Sequence, residues 1–367
     1  MAARGGGGPG WFVPVRCRPG IGTVTLRYQR SVAERRRLYV RVVPDSFDRI
    51  AVLGLGLIGG SLLQALARGG YTVTGYDPDP VEAGAARGIG YTVAASACDA
   101  VAGADLIVLA MPLPHLDAAL EAISSSVAPN AVLTDVGTLK APVLQAVRRR
   151  LPRARFVGGH PLAGTEQSGF LAGHPLLFRD APWALILEPD TDLQAWLSLA
   201  VLLCDLGAKP VPTTAAEQDA AIARVIGLPH MLGEALALTG LRGGELGLSL
   251  AAGSYTSGSR VARTRPELVA TWCDGNPALI SALDDAIAWL TSSRDTLAAG
   301  GSVLPLAEAG HRARMEWERR EFGPVDLPVD AEALRQHGRD GGWITAVVEK
   351  DGPELGELRL LGMRPVR

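Results

Sequence analysis

His160 stands in the stretch Val157-Gly158-Gly159-His160-Pro161-Leu162-Ala163-Gly164-Thr165-Glu166-Gln167-Ser168-Gly169-Phe170, directly after the apolar run Arg155-Phe156-Val157. Paired glycines and a proline end an expected strand there and present an imidazole at its carboxyl tip, where open parallel α/β sheets bind their ligands. An unperturbed imidazole changes charge near pH 6.5, so it suits proton transfer in the neutral range. An isolated histidine would be read as satisfied by a backbone carbonyl. The segment around this one argues instead for chemistry.

A second set of residues is built for an anion. Ile50-Ala51-Val52-Leu53 reads as a strand running into Gly54-Leu55-Gly56-Leu57-Ile58-Gly59, a GxGxxG pattern. Gly54 permits the tight turn, Gly56 lets backbone approach a pyrophosphate, and Gly59 lets the next helix pack close to the strand. Leu57 and Ile58 open that helix and offer backbone N–H groups to the phosphates. The helix stops at Gly69-Gly70, Tyr71 to Tyr76 forms a second strand, and Asp77 follows. A carboxylate there accepts hydrogen bonds from the adenine ribose hydroxyls and repels a 2′-phosphate, so the expected cofactor is NAD rather than NADP. The competing reading of Asp77 is a cap for the helix beginning at Pro80.

These residues need a framework, and alternating apolar runs supply it. Asp105 to Ala110 and Ala131 to Asp135 read as buried parallel strands, the second delivering Val136-Gly137-Thr138-Leu139-Lys140 at its tip. Read by itself, Thr138 suits the N-cap of the helix that follows. Lys140 lies in the nucleotide half, away from the second-domain helix where lysine acid/base catalysts of β-hydroxyacid dehydrogenases sit. Trp183 to Leu187 reads as a further strand, and Lys209 falls in an edge strand. Beyond Thr213 the pattern is helical: Thr214 to Thr239 is long and apolar, with a proline kink expected at Gly227-Leu228-Pro229-His230, and Ile280 to Leu290 marks a second long helix. Helices this apolar on a small domain imply packing between subunits.

The chain of 367 residues suits two domains. A Rossmann-type α/β domain is expected over 49–212 and an all-α helical dimerisation domain over 213–321, flanked by a basic disordered extension (1–48) and a short C-terminal extension (322–367). In the latter, Trp343 to Glu349 and Leu358 to Leu361 suggest a β-hairpin, with too few residues for a complete ACT regulatory domain. Net charge is −2, but residues 1–49 hold ten arginines against three acids, a balance of +7 that leaves −9 for the remainder. That remainder does not suit nucleic acid. The four cysteines lack metal-like spacing and, with scattered histidines, argue for a reducing cytoplasm and no metal site. No uncharged apolar run approaches membrane-spanning length.

The segment from Gly158 to Phe170 resembles the GGHPMAGTEHSGF signature of prephenate and arogenate dehydrogenases, differing at Leu162 and Gln167. The resemblance runs from about Ile50 to about Gly310. His230 matches the family's LPH motif. Arg260 matches the final arginine of GFRDTTRIA, aligned over Ser254 to Ala262, and Asn276 keeps the spacing to a later asparagine. Thr256 and Ser257 replace an arginine and an aspartate of that pattern, and Val269 stands where a tryptophan is common.

The resemblance implies NAD-dependent oxidative decarboxylation of prephenate to 4-hydroxyphenylpyruvate in tyrosine biosynthesis by a cytoplasmic homodimer. In it His160 takes the substrate hydroxyl's proton or its hydrogen bond, Thr138 assists, Arg260 clamps a carboxylate, and His230 and Glu166 line the pocket. Activity would then rise with pH through the pKa of His160. The alternative is an arogenate dehydrogenase, with Glu166 or Asp219 facing the substrate amine. A remoter one is a non-catalytic NAD-sensing protein with a basic DNA-contacting arm.

Overall fold

The computed structural model describes residues 47–165, 167–349 and 358–366. The basic arm, Glu166 and residues 350–357, where the hairpin connection was expected, lie outside the described residues. The chain begins with β1 (Arg49–Leu53), α1 (Leu57–Arg68), β2 (Thr72–Tyr76), α2 (Pro80–Gly88), α3 (Ala97–Val101), β3 (Leu106–Leu109), α4 (Leu113–Ile123), β4 (Val132–Asp135), α5 (Ala141–Arg150) and β5 (Arg155–Val157). The strands form one parallel sheet in the order β2-β1-β3-β4-β5. Period-two alternation splits their side chains between two faces. Ile50, Val52, Leu106, Val108 and Val132 join one core cluster, while Ala51, Leu53, Ile107, Leu109 and Leu133 join the other. Helices cover both faces, which is why these strands read as continuous apolar runs. This is the Rossmann-like α/β half that the sequence implies.

At Gly158 the chain leaves this sheet for a second one. β6 (Gly159–Pro161) pairs antiparallel with β7 (Pro182–Ile186), and β7 runs parallel to β8 (Lys209–Thr213), with α6 (Leu193–Asp205) between them. His160 therefore sits inside a short strand, in register with Ala184, rather than in a loop beyond a strand tip. Phe170 fixes the far end of this segment, its ring fully buried against Gly60 of α1 and its N–H bonded to Glu82 of α2 at 2.6 Å.

The helical half opens with α7 (Ala215–Ile222), widens to a π turn over Ala223–Gly227, and continues without a break as α8 (Leu228–Leu241). Pro229 lacks an N–H and its ring crowds the carbonyl one turn back. The wider π turn accommodates it, where the sequence suggested a kink. α9 (Gly244–Ser249), α10 (Gly253–Gly258), a 3-10 turn (Arg260–Arg263), α11 (Pro266–Cys273), α12 (Ala278–Ala298) and α13 (Leu304–Glu318) complete this half.

The last elements are β9 (Phe322–Leu327), α14 (Ala331–Arg339), β10 (Trp343–Glu349) and β11 (Leu358–Pro365), forming an antiparallel sheet in the order β10-β11-β9. Leu334, Ile344, Val347 and Leu360 belong to the same core cluster as Trp196 and Leu199 of α6. The described residues of 322–349 and 358–366 thus pack into the nucleotide half through these side chains. α14 seats so closely on β8 that a Cβ at Gly338 would lie 1.7 Å from the Pro212 carbonyl oxygen.

Candidate active site

The glycine loop has the shape of an anion cradle. Gly54 has φ 96°, and a Cβ there would stand 2.5 Å from the Ala110 carbonyl oxygen; one at Gly59 would stand 1.9 Å from the oxygen of Gly54. A Cβ at Gly56 would meet nothing within 4 Å, so the backbone is open on that side. Helix α1 has neither a side-chain cap nor an acidic residue in its first turn. Its leading N–H groups, those of Leu57 and Ile58 among them, are available to a phosphate. Asp77 ends β2 as expected. Its Oδ2 accepts from Leu55 N at 2.6 Å and its Oδ1 from Asp79 N at 2.9 Å. The cap of α2 is Asp79, through Val81 N, so the alternative role for Asp77 falls to its neighbour. Each oxygen of Asp77 keeps a lone pair for a ribose hydroxyl.

His160 rests on a buried polar cluster at the carboxyl edge of the parallel sheet. Asp135, the last residue of β4, accepts from Gly159 N at 3.1 Å, from Gly137 N at 2.9 Å and from the Lys140 ammonium. Lys140 also donates to the Gly159 carbonyl at 2.7 Å, so one ion pair holds both strand tips together. Burial pushes the Asp135 carboxyl up and the Lys140 ammonium down from their ordinary values, and each offsets the other's desolvation. Asp219, on α7, accepts from the backbone N–H groups of Lys140 and Ala141 at 2.7 and 2.9 Å. It caps α5 from another helix, so Thr138 is not the N-cap.

His160 is buried (6% exposed), and burial followed by the nearby Lys140 charge pushes its pKa down to about 3. It is therefore neutral throughout the working range. The expected rise of activity through a histidine pKa near 6.5 is corrected on this ground. Its Nδ1 lies 2.8 Å from Gln218 Nε2, and the same amide nitrogen donates to the Thr138 carbonyl at 3.0 Å. The other ring nitrogen, Nε2, has no protein partner among the described residues and is not sealed off.

A second group gathers around His230, one helical rod away. Gln218 and His230 lie on the continuous α7–α8 helix, roughly 18 Å apart along its axis. The His230 ring is buried 5.0 Å from that of Trp272 on α11 and bonds the Val261 carbonyl. Burial lowers its pKa, Glu234 opposes that, and Arg260 reinforces it. The Arg260–Arg263 turn comes this close because position 233 is glycine: a Cβ there would stand 2.5 Å from Val261 Cγ2. Arg260 is exposed and forms no ion pair among the described residues. Asn276 faces inward: its Nδ2 donates to the Asp219 carbonyl at 2.9 Å and its Oδ1 accepts from Ala278 N at the start of α12.

The structure thus brings His160 and the Thr138 carbonyl together through Gln218, and brings Arg260, in the 3-10 turn packed on α8, near His230. Sequence reasoning missed Gln218, the Asp135–Lys140 pair and Trp272. A signal existed for the first. Thr214 and Glu217 form a capping box that fixes the start of α7, which places Gln218-Asp219 as a buried polar pair in an otherwise apolar helix. Trp272 stands one turn beyond the buried Val269, the position where the family usually carries its tryptophan.

The model of the prephenate dehydrogenase nucleotide-binding domain matches residues 62–211. A cyclohexadienyl dehydrogenase of Zymomonas mobilis is 32% identical over 285 residues, 73% of this chain and 96% of that protein. Among solved structures, a Corynebacterium glutamicum protein provisionally named a prephenate dehydrogenase is 40% identical with a TM-score of 0.71, covering 75% of this chain and 90% of its own. The arogenate dehydrogenase of Synechocystis is 27% identical with a TM-score of 0.65, covering 74% of this chain and 99% of its own.

Proposed function

The chain belongs to the prephenate dehydrogenase family, and from that premise we propose that it carries out the NAD-dependent oxidative decarboxylation of prephenate to 4-hydroxyphenylpyruvate. The observation that carries this reading is His160: a buried, neutral imidazole with one nitrogen engaged and one open, at the same sheet edge as the glycine cradle. Bound NAD supplies the hydride acceptor. The chain's own residues hold the rest: Gly54, Gly56 and Gly59 shape the phosphate site, Asp77 takes the ribose, and His160 bonds the substrate hydroxyl beside Thr138. Arg260 offers a guanidinium fork to a carboxylate, and His230 with Trp272 walls the pocket.

Arogenate is the second reading, because it differs from prephenate only in the side chain and the Synechocystis relative is named for it. Asp219 caps α5 but, like Asp77, keeps a lone pair on each oxygen, so the cap by itself does not choose between the two substrates. Turnover of both substrates with NAD and with NADP tests this. Prephenate with NAD should give the highest kcat/KM, and Asp77→Ser should narrow the preference for NAD. Preferred turnover of arogenate would replace the substrate assignment, and equal use of NADP would remove the ribose role of Asp77.

The enzyme acts as a homodimer in this reading. Leu238, Leu241, Ile280, Trp289 and Leu290 are exposed on α8 and α12, a surface that a second copy would cover. The helix Ala215–Leu241 is also long and apolar enough to cross a membrane, with 28% of its most apolar window buried. Its first turns are tied to α5 and His160 through Asp219 and Gln218, which supports a subunit interface instead. Among the described residues Cys98 and Cys273 are free thiols, in keeping with the cytoplasm.

A further inference from the structure

Helix α2 does not make the bond that its sequence sets up. Asp79 is its N-cap and Glu82 stands three residues on, the spacing at which a glutamate turns back to the N-cap's own N–H. Asp77 takes that donor instead, its Oδ1 accepting from Asp79 N at 2.9 Å. The Glu82 carboxylate is left to face another element, and it accepts from Phe170 N at 2.6 Å. Gly169 makes the approach possible: its φ is 88°, and a Cβ there would stand 2.9 Å from Glu82 Oε1. The Phe170 ring is fully buried against Gly60 of α1 and edge-on to Tyr91, with ring centroids 6.0 Å apart. Four residues on, His174 N donates to Ser61 Oγ of α1 at 3.0 Å.

This tie joins opposite sides of the parallel sheet. α2 follows β2 at one edge, and the strand of His160 follows β5 at the other. Gly159 is held there by Asp135 of β4, whereas Phe170 is held between α1, which offers its N–H groups to the phosphates, and α2, which follows the ribose carboxylate. A run of hydrogen bonds leads from Asp77 to Asp79 N, and the first turn of α2 carries it to Glu82 and so to Phe170. We propose that Glu82 is a positioning residue that makes the cofactor and substrate sites depend on each other. NAD held by Asp77 steadies the first turn of α2, and Glu82 passes that order to Phe170. The segment that begins at His160 is then set for its substrate. This rests on the functional reading above for the ligand met by His160. Coupling of this kind is reciprocal, so a molecule in the substrate site must tighten NAD binding by the same factor, whichever of the two binds first.

The test measures NAD affinity of the full-length enzyme by calorimetry, alone and in saturating 4-hydroxyphenylpyruvate, the product. The wild type should bind NAD about 5-fold or more tightly when the product is present, the lower end of the range for coupled sites. Glu82→Ala should bring the two affinities to within about twofold of each other. Glu82→Gln, whose amide oxygen still accepts from Phe170 N, should keep most of the difference. A tie that only holds the fold together would lower stability in Glu82→Ala and leave the ratio of affinities as it was. Exchange of the Phe170 amide hydrogen in the wild type should slow on adding NAD alone, and it decides the matter if Glu82→Ala does not fold. Equal affinities in the wild type, a ratio untouched by Glu82→Ala, or a Phe170 amide indifferent to NAD overturns the inference. Failure to bind 4-hydroxyphenylpyruvate, with no turnover of prephenate or arogenate, would instead sink the functional reading and leave the Glu82 tie to be judged by the Phe170 amide.

Discussion

His160 is kept uncharged by its surroundings, and that has a thermodynamic signature. Above about pH 6.5 neither the folded nor the unfolded imidazole holds an extra proton, so its burial carries no pH-dependent cost. Between about 6.5 and the folded value of about 3, the unfolded chain binds a proton that the folded one refuses. The unfolded state then holds more protons, so stability falls as pH falls, by at most about 1.4 kcal/mol per pH unit for this one group. Urea midpoints at about pH 7 and pH 5 should show the wild type losing roughly 2 kcal/mol more than His160→Gln. Equal losses would mean that the imidazole is not held neutral. The histidine itself was legible because glycines, a proline and a preceding strand surround it in sequence. The partner of its ring was not, since Gln218 lies 58 residues away. The charge beneath it was hidden in the same way: Asp135 and Lys140 read as a strand end and a helix start, and only the crossing at Gly158 puts His160 above them.

At the scale of elements, the α7–α8 helix is the part that joins the two halves of the site. Its first turns hold the hydroxyl-facing residues through Gln218 and Asp219, and its second half carries His230 and the seat for Arg260. The long helix was legible from the length of its apolar run, and Pro229 marked the irregularity. A sequence does not say whether a helix bends or widens at a proline; packing on both sides of Ala223–Gly227 decides that. Gly233 was not legible as a contact residue, because its role depends on Val261 arriving from another element. With Arg260 exposed and in no ion pair among the described residues, Arg260→Ala should weaken substrate binding by roughly 1.5–3 kcal/mol, the scale of a hydrogen bond to a charged group. That should appear as a large rise in KM, with NAD affinity measured without substrate unchanged and Arg260→Lys recovering only part of the loss. A KM within about twofold of wild type would assign the clamp elsewhere.

For the whole molecule, the exposed apolar faces of α8 and α12 set an expectation that dilution can test. A dimer closed over Leu241, Ile280, Trp289 and Leu290 should show a melting temperature that rises with protein concentration, and Leu290→Asp with Trp289→Lys should yield monomers by sedimentation. A wild type that sediments as a monomer at micromolar concentration would remove the dimer from the reading. The C-terminal residues were the least legible part of the chain, since Leu334 and Ile344 join a core most of whose other members lie more than a hundred positions away. Their helix has one more attachment: Arg339 of α14 donates to Glu217 at 2.6 Å, and Glu217 is the capping-box residue directly before Gln218. Free-energy coupling of this kind works in both directions. If α14 steadies the start of α7, occupancy of the pocket must steady α14 in return, and the end of the chain becomes a reporter of what the catalytic cleft holds. Amide hydrogen exchange over residues 331–339 should therefore slow when substrate and cofactor bind, and Arg339→Ala should abolish that response while leaving exchange in β1 and β3 unaltered.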